Sequence, residues 1–404
     1  MTVGIASNPC STLPSERRLS KIRIQDFKVY CKENFDIEGV FKQISDRRKR
    51  PQIKTRTVCW AIVNMVSLGI KSLLELDQLG RLSGMRRYIG TNRYMVSSDT
   101  TYDRVLKLMS VETIRKSMVK IYQKLQKKGL DEIKLESSRQ VRIAGIDGSG
   151  FGKYEASVIS MFGKTQIVLD VEPYSRKGKE LPSSYAVIKR TRRSLGKSFC
   201  DVLIGDGLYR GSKFFKLCKE SGFDGLVKTE ETRLDVIKDA LGLYKAKDDK
   251  SIERITAFDR NRLCEYSIEA VTDVRMAGLR DRLKIVHIKE YYPKPERHGD
   301  FFVITTKQDL TGNECRELAH RRWTIENKVF KELSQNIKSK SVHTHNENVL
   351  TALLLLWYIG FNLLNAFLFK HCIESFRQIF GYAKQTLGII IAYMRFSLGL
   401  VDSG

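Results

Sequence analysis

Apolar residues recur at three- and four-residue intervals from about Glu16 to Leu130, a spacing that predicts helices. Thr57–Leu79 carries the strongest such stripe and reads as one helix. Ser97-Ser98-Asp99-Thr100 marks a further helix start, with Asp103 completing a capping-box pattern behind Thr100, and helices over Tyr102–Met109 and Val111–Gln126 follow. At Gln140 the period changes. Val141–Asp147, Ala156–Phe162 and Gln166–Val171 read as strands, then Glu180–Ser198 as a helix with a basic face. Asp201–Asp206 reads as a strand, Gly211–Ser221 as a helix and Gly225–Lys228 as a strand, so the order is three strands, helix, strand, helix, strand. Between Thr229 and Thr311 lie charged, β-leaning segments: Arg254–Asp259, Leu263–Val271, Leu283–Tyr292 and Asp300–Thr306. Helix resumes at Asn313, runs through Arg322 and Glu326 to about Gln335, and the remainder is helical. There is no internal repeat and no low-complexity tract.

These shifts of texture divide the chain. A loose polar tail (1–15) lacks the apolar core of a secretory signal. A helical domain (16–138), an α/β segment (139–228), a β-rich insertion (229–311), a return to the α/β core (312–345) and C-terminal helices (346–404) follow. Val349–Phe369 has no charged residue and is long enough to cross a bilayer. Asn362 and Asn365 interrupt it, and the next apolar stretch, Ile379–Val401, carries Lys384 and Arg395. A buried helix is therefore expected, with a membrane-associated helical protein as the rival.

Composition changes the picture in two ways. Lys and Arg outnumber Asp and Glu by 71 to 46, a net +25, so the surface attracts polyanions. Nucleic acid is the first such partner to consider; an anionic membrane or ribosomal RNA are alternatives. The eight cysteines form no C-x-x-C pair, and none of the six histidines stands at zinc-like spacing with one. That argues for reduced thiols in a cytosolic protein and against a disulfide scaffold or zinc module.

Two strands ending in aspartate, Asp147 and Asp206, suggest chemistry. Side by side in one sheet they would lie about 4.8 Å apart, a span that lets two carboxylates share a hard cation. Oxygen-only donors favour magnesium or manganese over zinc. Singly, each reads as an ordinary turn starter before it reads as a ligand. Arg322 and Glu326 share one helix face, as an intrahelical ion pair or as a phosphate contact beside a metal ligand. Ile325, Val329 and Leu333 form an apolar stripe that would pack this helix on the sheet.

The block Arg322-Trp323-Thr324-Ile325-Glu326-Asn327, followed by Phe330-Lys331-Glu332-Leu333, resembles the C-terminal signature of insertion-sequence transposases of the DDE type. Ile146-Asp147-Gly148-Ser149-Gly150 is similar to their first-aspartate motif, and Asp206-Gly207-Leu208-Tyr209 to their second. Ser97–Thr101 and Val349–Phe369 also look like family features, so the likeness spans roughly Arg47 to Phe369. It implies an RNase H-like mixed sheet flanked by helices, interrupted by a β-rich insertion before the glutamate.

The resemblance further implies a catalytic triad of Asp147, Asp206 and Glu326 holding two Mg²⁺ (or Mn²⁺) ions. These would serve phosphodiester hydrolysis at element ends and then transfer of the 3′-OH to target DNA. Double-stranded DNA would be the partner, met by a homodimer in a synaptic complex, without a membrane, in a prokaryotic cytoplasm at the nucleoid. Arg322, Lys331, Lys189, Arg190, Arg192, Arg193 and Arg48 are the expected phosphate contacts. The family's flanking Tyr and Lys are here Ala319 and Leu333. The insertion has no tryptophan, since the three are Trp60, Trp323 and Trp357, which leaves Tyr244, Tyr266, Tyr291 or Tyr292 either to stack a flipped base or to pack on the sheet. A catalytically impaired or domesticated transposase acting as a DNA-binding protein is the alternative.

Overall fold

Among the described residues of the N-terminal third, helical periodicity is realised as seven helices: α1 (Ile24–Phe35), α2 (Ile37–Lys42), α3 (Thr55–Leu68), α4 (Leu73–Gly80), α5 (Ser83–Ile89), α6 (Asp99–Leu108) and α7 (Val111–Gln126). The computed structural model describes residues 23–91, 97–174, 178–245, 251–322, 329–337, 344, 346–371 and 383–400. The single helix expected over Thr57–Leu79 is two, α3 and α4, whose axes turn by 102°. Gly69 adopts φ 59° and its N–H caps the Met65 carbonyl, while Ser72 restarts helix by accepting from the Glu75 N–H. A left-handed glycine followed by a serine cap overrides a continuous apolar stripe, because the hydrogen-bond ladder ends there whatever the side chains prefer. The cap of α6 is Ser98, which accepts from the Thr101 N–H, and not Thr100.

A small antiparallel hairpin, β1 (Ile133–Lys134) with β2 (Gln140–Val141), leads into the core. The core elements are β3 (Ile143–Phe151), β4 (Tyr154–Phe162), β5 (Gln166–Tyr174), α8 (Glu180–Leu195), β6 (Val202–Gly205), α9 (Ser212–Ser221) and β7 (Asp224–Thr229). A 3₁₀ turn over Gly207–Tyr209 joins β6 to α9. Then come α10 (Asp235–Tyr244), which the sequence reading missed, and β8 (Glu253–Asp259), β9 (Cys264–Val274), β10 (Leu283–Pro293) and β11 (Glu296–Thr305). The chain continues with α11 (Gly312–Arg321), α12 (Lys331–Asn336), α13 (Glu347–His371) and α14 (Ala383–Phe396).

One nine-stranded sheet runs in the order β5-β4-β3-β6-β7-β11-β10-β9-β8. Strands β3, β4 and β5 form an antiparallel meander, and β3, β6 and β7 are parallel. This is the RNase H-like arrangement, a mixed α/β fold. The β-rich insertion is built onto the same sheet: β11 pairs antiparallel with β7, and β10, β9 and β8 extend the row.

Helix α13 is a core helix. Most of it is buried, and it packs on α3 and β5. At Gly360 a Cβ would fall 2.4 Å from the Val63 carbonyl oxygen, so glycine is what permits the close crossing of α3 and α13. The two asparagines that interrupt the apolar run serve the sheet edge. Asn362 accepts from the Val168 N–H (2.8 Å) and donates to its carbonyl (2.7 Å), and Asn365 donates to Gln166 O (3.2 Å). Edge strand β5 thus finds its hydrogen-bond partners in a helix.

Candidate active site

The parallel pairing of β3 with β6 places Ile143 opposite Val202, Ala144 opposite Leu203 and Gly145 opposite Ile204. Carried forward at the same offset, Asp147 comes level with Asp206. Residues at one level of adjacent parallel strands point to the same face, about 4.8 Å apart. Asp147 is not at a strand end as the sequence suggested: β3 runs four residues further, because Gly148–Phe151 keep pairing with β4. Asp206 does follow the last residue of β6, and its carboxylate caps the 3₁₀ turn by accepting from the Leu208 N–H (2.8 Å). Asp147 is 8% exposed and accepts from the Gly148 N–H (2.8 Å).

Cationic groups face this pair. Arg322, at the C-terminal end of α11, brings a guanidinium nitrogen to 3.6 Å from Asp147. Lys228 stands one strand beyond Asp206: β6 and β7 pair Gly205 with Val227, so the next residues, Asp206 and Lys228, share a level. Its ammonium lies over the Phe301 ring at 4.0 Å. Burial lowers its pKa, Glu230 opposing and Arg322 adding to the effect. Sequence reading passed over Lys228; its signal was a lone basic residue in an apolar strand beside the second aspartate.

Glu180, the first residue of α8, is a further acid at this site that the sequence reading did not single out. It accepts from the Tyr209 hydroxyl (3.0 Å), and the Tyr174 hydroxyl is 3.5 Å away. Burial raises its pKa, the Tyr209 hydrogen bond opposing and the negative charge of Asp206 adding to the rise.

Glu326, Trp323 and Ile325 lie outside the described residues. Among the described residues no group of three or more His, Cys, Asp or Glu side chains is gathered to hold a metal ion. Asp147 and Asp206 are two hard oxygen donors on a rigid sheet, and that donor set fits magnesium or manganese. Of the expected apolar stripe, Val329 and Leu333 are buried.

The other expected DNA contacts fall into two groups. Lys189 and Arg193 are exposed on α8, Arg192 is half-buried there, and Lys331 is exposed on α12. Arg190 and Arg48 are instead engaged within the protein. Arg190 bonds Asp170 (2.6 Å) and Glu172 (2.8 Å), and the Arg48 side chain, 13% exposed, bonds Asp46 (2.8 Å). Ala319 and Leu333 are buried, which explains why these positions hold apolar residues. Of the tyrosines that offered a stacking surface, Tyr244 donates to Ile285 O, Tyr292 donates to Glu290, and Tyr266 lies 4.0 Å beneath Arg316. All three are taken up in packing the insertion.

The sheet is RNase H-like, with Asp147 on β3 and Asp206 directly after β6. A family model described as transposase DDE domain matches residues 148–363, and the chain belongs to this family. The match begins one residue after Asp147 and takes in Asp206 and Glu326. No curated protein matches the chain. Membership makes it a transposase, an enzyme of DNA transposition.

Proposed function

We propose that the chain binds the ends of a mobile element, hydrolyses the phosphodiester bond there and joins the freed 3′-OH to target DNA. Asp147, Asp206 and Glu326 would hold two divalent ions. The observation that supports this reading is the parallel pairing of β3 with β6, whose offset, continued by two residues, brings Asp147 level with Asp206 just beyond β6. Two unneutralised carboxylates so placed repel each other, a cost that a hard cation removes. The bound ions would supply an activated water or 3′-OH and a stabilised leaving oxygen.

The chain's own residues position the DNA. Arg322 and Lys228 give the site fixed positive charge where a scissile phosphate would sit, in place of the flanking Tyr and Lys that Ala319 and Leu333 replace. Lys189, Arg192, Arg193 and Lys331 offer charge to backbone phosphates without reading sequence. Arg190 and Arg48, held by their carboxylates, stiffen the scaffold. A dimer on paired ends completes the proposal.

The test is cleavage of an element-end duplex in Mg²⁺ or Mn²⁺ by the wild type and by Asp147→Ala, Asp206→Ala and Glu326→Ala. The expected result is cutting by the wild type and loss of cutting, with DNA binding retained, in each variant. A variant that cuts like the wild type removes that residue from the triad. A wild type that binds but never cuts favours the alternative of a DNA-binding protein.

A further inference from the structure

The two motifs bearing the aspartates meet through a second set of residues. Tyr209 is fully buried, lies three residues after Asp206 and closes the turn that Asp206 caps. Its hydroxyl reaches the Glu180 carboxylate at 3.0 Å and the Ser184 Oγ at 2.8 Å. Ser184 Oγ is 2.9 Å from Ser157 Oγ, and Ser157 donates to the Glu180 backbone carbonyl at 3.3 Å. Both serines are fully buried.

Glycines flank both aspartates, and the bridge explains two of them. A Cβ at Gly148, next to Asp147, would lie 2.8 Å from the Glu180 carboxylate. A Cβ at Gly205, just before Asp206, would lie 2.9 Å from Tyr209 Cβ and Cγ. The Glu180 carboxylate therefore rests on the backbone that follows Asp147, while its hydroxyl partner belongs to the turn that presents Asp206.

From this geometry we infer that Glu180 and Tyr209 are positioning residues: their hydrogen bond fastens the Asp206 turn to α8, whose Glu180 carboxylate rests against the Asp147 strand at Gly148, and so holds the separation of the two carboxylates. The inference rests on the reading of Asp147 and Asp206 as metal ligands. Groups that orient metal ligands in this way typically contribute about 10- to 100-fold in metal affinity. The bridge links α8, β4 and the turn after β6 by hydrogen bonds and touches β3 at Gly148, so it steadies the separation that the β3–β6 pairing establishes.

Tyr209→Phe removes only the hydroxyl, and Glu180→Gln removes the charge at constant size. Two readouts apply to the full chain: the Mn²⁺-induced rise in melting temperature, which needs no activity, and the Mn²⁺ concentration giving half-maximal cleavage of an element-end duplex. Both variants are expected to melt cooperatively without metal, to need about 10- to 100-fold more Mn²⁺ for the same response, and to regain cutting at high Mn²⁺. Wild-type Mn²⁺ dependence in both variants overturns the inference. Lost cutting with an unchanged Mn²⁺-induced melting shift overturns it too, because Glu180 or Tyr209 would then act in the reaction itself. Loss of cooperative melting in both variants overturns it in favour of a purely structural bridge. A wild type without any Mn²⁺ response removes the metal-site reading as well, which separates the two failures.

Discussion

Two concentrations of charge in the sheet are built differently. In the insertion half, the Arg316 guanidinium is saturated: it bonds Glu290 (2.6 Å), Asp259 (2.9 Å) and Cys264 Sγ (3.2 Å), and its face covers Tyr266. Glu290 also accepts from His320 Nε2 (2.7 Å) and Tyr292 (3.0 Å). Burial alone would raise Glu290, yet the His320 hydrogen bond and the nearby cationic groups outweigh it and hold the carboxyl at about 2. In the core half, Arg322 brings a guanidinium nitrogen to 3.6 Å from Asp147 on β3, and Asp206 follows directly after β6. The first constellation closes on itself and fastens α11, the helix leading toward Glu326, to the insertion. The second lies at the turn that Asp206 caps, where the proposed metal ions would be held. Identical residue types thus serve stability in the closed network and, under the proposed function, chemistry beside the end of β6.

The sharpest way to break this contrast is to exchange its readouts. Asp147→Ala is expected to reduce cleavage by more than about 100-fold while costing less stability than Arg316→Ala, since relief of the repulsion from Asp206 offsets loss of the Arg322 ion pair. Cleavage rate and a melting curve on one sample check it, and a large loss of stability would place Asp147 with the structural network instead. Arg316→Ala should do the reverse. Breaking a buried, hydrogen-bonded ion network by removing one partner costs about 3–5 kcal/mol, read by urea unfolding.

The same network predicts a pH dependence. The folded Glu290 carboxyl lies near 2 against an ordinary 4.5, so its contribution is present above about 4.5 and is lost as pH falls toward 2. Glu290→Gln should remove that part of the acid-unfolding profile, and an unchanged profile would show that other carboxylates carry it. On the basic face, Lys189→Ala and Arg193→Ala should each reduce the salt slope of DNA binding by about one unit, uniformly across sequences. Arg190→Ala should leave the slope unchanged, because its guanidinium is occupied by Asp170 and Glu172. The smallest expected effect is Ser98→Ala, about 1 kcal/mol of stability from a lost helix cap.

What could be read along the chain was what depends on near neighbours. Alternating and helical periods located the strands and most helices, and the motifs around Asp147 and Asp206 pointed to paired acids. Helix ends were read less well where one backbone conformation decided them, as Gly69 did between α3 and α4. Asp147 looked like a strand terminus because the glycines after it resemble a turn; pairing with β4 and the Glu180 carboxylate above Gly148 hold them extended instead.

The sequence by itself determined the class of fold, the order of its elements and the acidic motifs, because hydrophobic period and turn chemistry are local. Only the tertiary structure decided which charges are free to act. Whether an arginine meets DNA or a carboxylate depends on what the fold brings within hydrogen-bond reach, and so Arg190, Arg48 and Lys228 exchanged their expected importance. It also showed that Glu180, more than thirty residues from Asp147 in sequence, stands against the same site through a buried tyrosine.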